Sequence, residues 1–92
     1  MASPAHKVRV GNLQVIIWRN TSRDKGTTFY TFDVVRSYKD GDETWKESNS
    51  LIGDDPLIMA ELLRQAWTWV SRQRQADYDA RKAREKANNG DE

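Results

Sequence analysis

Thr27-Thr28-Phe29-Tyr30-Thr31-Phe32-Asp33-Val34-Val35-Arg36-Ser37-Tyr38-Lys39 is followed by Asp40-Gly41-Asp42-Glu43 and then by Thr44-Trp45-Lys46-Glu47-Ser48-Asn49-Ser50-Leu51-Ile52. β-branched and aromatic residues fill both arms, and an acidic, Gly-containing segment divides them. This pattern predicts a β-hairpin. Its first arm, roughly 13 residues, is long against a usual strand of about 5–6, so its end is expected to overhang the sheet as a ribbon. Alternation places Tyr30, Phe32, Val34, Arg36 and Tyr38 on one face. Phe29, Thr31, Asp33, Val35, Ser37 and Lys39 fall on the other. Aromatic, aliphatic and cationic groups interleaved in this way suit a surface that grips something flat and negative.

Two more strands are expected upstream. Lys7 to Val10 alternates charge with valine, and Gly11-Asn12 is a two-residue turn signal in the reverse of the favoured Asn-Gly order. Leu13-Gln14-Val15-Ile16-Ile17-Trp18-Arg19 follows. Its side with Leu13, Val15, Ile17 and Arg19 and its side with Gln14, Ile16 and Trp18 both carry apolar groups. Either both faces are covered, or one is a binding surface. Asn20 to Gly26 reads as a loop with two cations, either a solvated turn or a mobile basic finger beside the sheet.

Downstream, Gly53 ends the fourth strand. Asp54-Asp55-Pro56 is a helix start, with an Asp cap and Pro at the first helical position. The helix that follows carries an apolar arc wider than the ~100° one contact requires. One part of the arc is expected on the sheet and another on a partner subunit, with Trp67 and Trp69 in the core or at that interface. From Ser71 the apolar face disappears, while good helix formers continue toward Asn88-Asn89-Gly90. Asp77 and Arg81 form an i,i+4 pair of favourable order. The expected organisation is a disordered segment 1–6, a domain over 7–75, and a charged helical extension with a frayed tail over 76–92. The fold class is α+β: a four-stranded curved antiparallel sheet and then one long C-terminal helix, β-β-β-β-α.

Size and composition restrict function. A core-forming region near 60–70 residues is marginal alone, and the chain has no cysteine to staple it. A homo-oligomer is therefore expected. A net charge of +1 conceals an uneven distribution, since the strands carry Arg9, Arg19, Arg36, Lys39 and Lys46 against Asp33 and Glu47. No apolar run approaches the roughly 20 residues that span a bilayer, and Met1 to His6 lacks the apolar core of a signal peptide. A soluble protein is expected, cytoplasmic (nucleoid-associated) or otherwise intracellular. His6 is the single histidine, so no zinc site or Cys/His nucleophile pair can be assembled. No phosphate loop or dinucleotide fingerprint is present. Asp54 and Asp55 are cap residues before they are cation ligands. Neither an enzyme nor a cofactor or metal is expected.

The sequence Val10-Gly11-Asn12-Leu13, the basic Lys25-Gly26 loop, Arg36-Ser37-Tyr38-Lys39-Asp40, Trp45-Lys46, Asn49-Ser50-Leu51 and the Asp-Pro helix start together resemble a known family. It is that of the C-terminal domain of the transcriptional coactivator positive cofactor four, and of the wider Whirly-like single-stranded-DNA-binding group. The resemblance covers roughly residues 8 to 72. It implies a homodimer whose helices pack together and whose β-ribbons form a saddle for single-stranded or melted DNA. Carried over by position, its nucleic-acid contacts fall on Arg19, Lys25, Tyr38 and Lys46. The residue pattern itself adds Arg36 and Trp45. The family's loop aromatic has no match between Asn20 and Lys25, and Thr27 or Thr28 stands where a lysine follows the loop glycine. Trp18 or Phe29 is the substitute stacking surface. Met59, Leu63, Ala66, Trp67 and Val70 are the expected dimer interface. The function expected is sequence-tolerant single-stranded DNA binding, in transcription or in replication and repair. The alternative is a protein-interaction module that adds its exposed ribbon to a partner.

Overall fold

The computed structural model describes residues 3–24 and 26–89. Among them, strands β1 (His6–Val10), β2 (Leu13–Thr21), β3 (Thr28–Lys39) and β4 (Trp45–Ser48) precede helix α1 (Asp55–Asn89). The strands form one open, curved antiparallel sheet in the order β1-β2-β3-β4. The expected α+β architecture, β-β-β-β-α, is the observed one.

The turns follow from local residue chemistry. Val10 pairs with Leu13, so Gly11-Asn12 is a two-residue hairpin loop. Gly11 has φ 59° and Asn12 does not share the positive φ, which is the backbone of a II′ turn with Gly at its first central position. The Gly-Asn order is therefore the correct one for this turn. The β3–β4 loop closes with the Asp40 N–H on the Thr44 carbonyl at 2.9 Å and the Glu43 N–H on the Asp40 carbonyl at 2.9 Å. Glu43 takes the left-handed conformation, φ 63°.

Strand β3 pairs with β2 from Thr28 to Arg36 and with β4 from Arg36 to Lys39. Its last three residues pass the start of β2 and form the expected overhanging ribbon with β4. That fourth strand is shorter than expected. It stops at Ser48, whose Oγ accepts the Ser50 N–H at 3.0 Å. This local bond turns the chain, and Leu51 leaves the sheet to pack against the core. Strand β1 begins at His6, one residue earlier than expected, which places His6 in the sheet. The Ala5 N–H donates to the Ile17 carbonyl at 2.8 Å, and the His6 ring stacks on Trp69 at 4.7 Å. Met1 and Ala2, of the expected disordered segment, lie outside the described residues, as do Gly90 to Glu92 of the expected tail.

Leu13, Val15 and Ile17 of β2 and Met59, Leu62, Ala66 and Val70 of α1 form the core. Among the described residues no polar side chain is buried. The helix lies over β1 and β2. The residues opposite one another in an antiparallel pair share a face, so the register assigns every strand residue to the helix-covered face or the open one. At about 1.5 Å per residue, a 35-residue helix is roughly 52 Å long. It is about 12 Å longer than β3, whose 12 residues reach about 40 Å, and beyond Asp77, which still bonds Arg19 and Tyr30 of the sheet, its described side chains are all exposed. No helix of the described residues is long and apolar enough to cross a membrane.

Candidate nucleic-acid interface

The register divides the expected contact residues between two faces. Ile17 opposes Phe32, Arg19 opposes Tyr30, Leu13 opposes Arg36 and Tyr38 opposes Lys46. Arg19, Arg36, Tyr38 and Lys46 therefore lie on the helix-covered face. Trp45 opposes Lys39 and lies on the open face. Trp45 and Lys46 are both expected contacts. Adjacent strand residues must point apart, and the register now says which way each one points. Lys25 lies outside the described residues.

Three of the four on the helix side have partners within the chain. Arg36 Nε donates to the Ser50 carbonyl at 2.7 Å and stands 3.9 Å from Asp55 Oδ2. Its guanidinium lies 5.2 Å from the centre of the Tyr38 ring, and its side chain is only 15% exposed. Asp55 also accepts the Ile52 N–H at 3.1 Å. Arg36 thus joins β3 to the first turn of α1, where the acidic side chain also suits the positive end of the helix dipole. Arg36, expected as a phosphate contact, is held in a structural tie in this chain. Lys46 Nζ pairs with Asp40 at 2.5 Å across the hairpin loop while remaining half exposed. Arg19 Nε donates to the Tyr30 hydroxyl at 3.3 Å, and Tyr30 donates to Asp77 at 3.0 Å. Arg19 Nη2 also reaches Asp77 at 3.4 Å. The bond to Tyr30, and then the charge of Asp77, hold the Arg19 guanidinium above its usual range.

The open face has no covering element among the described residues. Across it run Lys7 and Arg9 of β1, Gln14, Ile16, Trp18 and Asn20 of β2, Phe29 to Lys39 at alternate positions of β3, and Trp45 and Glu47 of β4. Trp45 is 64% exposed and Phe29 47%. Trp18 is half-buried, with its indole N–H on Asp33 at 2.9 Å, so its ring is fixed against the sheet. The Lys39 ammonium lies 5.7 Å from the Trp45 ring centre. At the ribbon end, Arg9, Gly11, Asn12, Ser37, Trp45, Lys46 and Glu47 line an open groove. The turn beneath it is rigid, because Asn12 and Ser37 exchange two bonds of 2.8 Å. Three cations face two carboxylates, Asp33 and Glu47, on this surface. Sequence reasoning missed Lys7, Arg9 and Lys39 as members of the set. Alternation alone would have grouped them with Trp18 and Trp45 once the covered face was known.

The expected dimer residues also divide. Met59, Ala66 and Val70 are buried in the chain's own core. Leu63 stays 39% exposed and Trp67 63% exposed on one flank of α1, across the buried stripe from Trp69. Phe32, on the covered face, is also 39% exposed, because the helix lies over β1 and β2. Among the described residues, no group of three or more acidic or histidine side chains is placed to hold a metal ion. Comparison of the chain with family models, curated proteins and solved structures gave no match.

Proposed function

We propose that the protein is a sequence-tolerant single-stranded DNA-binding protein that works as a homodimer. The supporting observation is the open sheet face, where Trp18, Phe29 and Trp45 lie among Lys7, Arg9 and Lys39 with no covering element among the described residues. Single-strand binders combine cations that follow the backbone with rings on which bases stack, and each stacked base contributes about 1–3 kcal/mol. Fixed rings lose little freedom on binding, and Trp18 is fixed by Asp33. The proposed contact set is therefore Trp18, Phe29, Trp45, Lys7, Arg9 and Lys39, with Lys46 at the groove edge. The likeness to the positive cofactor four C-terminal domain and the Whirly-like group points the same way, and a role in transcription or in replication and repair would follow from it.

The dimer rests on a second observation. Leu63, Trp67 and Phe32 leave large apolar side chains in water on a domain whose core is small. Sedimentation should give twice the chain mass. Trp67→Glu with Leu63→Glu should return a folded monomer, and a monomeric wild type would remove the dimer.

The alternative, strand addition by the ribbon, meets a four-residue edge carrying Lys46 and Glu47, features that discourage edge pairing. The direct test is tryptophan fluorescence titrated with a mixed-sequence oligonucleotide of about 20–30 nucleotides, several single-strand site sizes long. The expected result is saturable quenching that weakens with salt, persists in Trp67→Phe, and is lost in the Trp18→Phe, Trp45→Phe pair. A flat titration at low salt would exclude the reading.

A further inference from the structure

A second cationic surface lies away from the open face. The C-terminal part of α1 and the tip of the β2–β3 hairpin enclose an open cleft that Arg19, Arg74, Arg81 and Arg84 line together with Asp77 and Tyr78. Four guanidiniums thus meet one carboxylate. Asp77 is already engaged by Arg19 and the Tyr30 hydroxyl. No carboxylate among the described residues lies within ion-pair distance of Arg74, Arg81 or Arg84.

Helical spacing puts these three arginines on the flank that carries Asp77. At about 1.5 Å per residue, Arg74 and Arg84 are separated by roughly 15 Å along the axis. This is a row, and a row fits a repeating anion better than a single one. Guanidinium is the cation best matched to phosphate, through paired N–H donors. Arg81 additionally lies 5.6 Å from the Tyr78 ring centre, so a planar cation and a ring sit side by side.

We infer that this cleft is a second track for the phosphodiester backbone of a single strand, continuous with the open face around the hairpin tip. The inference rests on the nucleic-acid reading above and extends it to the helical extension. Phe29 and Asn20 end the open face at that tip. Thr28, opposite Thr21, lines the cleft on the other side with Gly26 and Thr27. A strand leaving the open face past Phe29 therefore turns over this rim and meets the arginines.

The test is the salt dependence of oligonucleotide affinity in the full chain. Each phosphate contact on a single strand contributes about 0.7 to the slope of log K against log salt. The triple variant Arg74→Gln, Arg81→Gln, Arg84→Gln keeps good helix formers and should lower the slope by about 2. The control Arg72→Gln, Lys82→Gln, Lys86→Gln removes the same charge from positions outside the cleft lining and should change the slope far less. Equal effects of the two triples, or no effect of the first, would overturn the track. In either case a wild type still quenched through Trp18 and Trp45 would leave the open-face reading intact. A wild type that binds no oligonucleotide would end both. Helical circular dichroism of each variant keeps unfolding apart from loss of contact.

Discussion

Ile16 and Ile17 are the same residue on the same strand, and they have opposite surroundings. Ile17 is fully buried beneath α1, in line with Val15 and Leu13 on the same face of β2. Ile16 faces the open side between Gln14 and Trp18 and keeps part of its surface in water. The two faces of the sheet differ little in their apolar content along β2. They differ in whether the chain supplies something to cover them. A hydrophobic side chain left uncovered beside cations and rings is then a candidate contact surface, since isolated exposed apolar groups are ordinary but a grouped set is not.

The largest effect that would sharpen this comparison is on stability. Ile17→Ala should cost about 2–5 kcal/mol in urea unfolding, through lost transfer energy and a cavity. Ile16→Ala should cost about 1 kcal/mol, as an uncovered strand position. Equal losses would show that the open face is covered in solution and would break the contrast. The next effect reverses the order of the faces. Trp45→Ala and Trp18→Ala should each weaken single-strand affinity by about 1–3 kcal/mol, while Trp45→Ala leaves the unfolding midpoint nearly unchanged. Unchanged affinity in both would detach the open face from binding.

How much of this could be read from the sequence follows the same division. The hairpin was legible because β-branched and aromatic residues stand on both sides of an acidic Gly segment. The helix start was legible because Asp-Pro has few other structural uses. Which side of β2 faces the core was not legible, since Leu13-Val15-Ile17 and Ile16-Trp18 are nearly matched in hydrophobicity. That choice is made by Met59, Leu62, Ala66 and Val70, far along the chain. The same long-range packing divided the expected dimer set, because an apolar arc wider than one contact does not say where along it the sheet will sit. Which face Trp45 takes and which Lys46 takes required the loop register, and the structural tie of Arg36 required the position of Asp55. The groups lining the arginine cleft are dispersed among acidic residues in the sequence, and only helical spacing brings them to one flank.

The smallest effect concerns the hairpin loop that joins β3 to β4. The hydrogen bond from Lys46, and then that from the Gly41 N–H, hold the Asp40 carboxyl below its ordinary value of 3.8. A folded-state value below the unfolded one stabilises the fold above the unfolded value, and that contribution is lost as pH falls through the folded one. The loop should therefore stay closed through neutral and mildly acidic pH and loosen only below the usual carboxylate range. A side-chain NMR titration of Asp40 should give a midpoint below that of a free aspartate. Lys46→Gln should move it upward, and no movement would assign the shift to the backbone alone.

The contact of Asp77 with Arg19 and Tyr30 has a consequence for how the helix opens. The buried contacts of α1 with the sheet end at Val70, and as far as Asp77 its amide protons exchange chiefly through larger openings of the domain. Beyond it every described side chain is exposed, and amides there exchange by local fraying at little cost. One unbroken helix thus carries two protection regimes that meet near residue 77. A protease would trim the outer one first, at the arginines and lysines of its exposed surface, and leave the sheet with its packed half of α1 folded behind the cut.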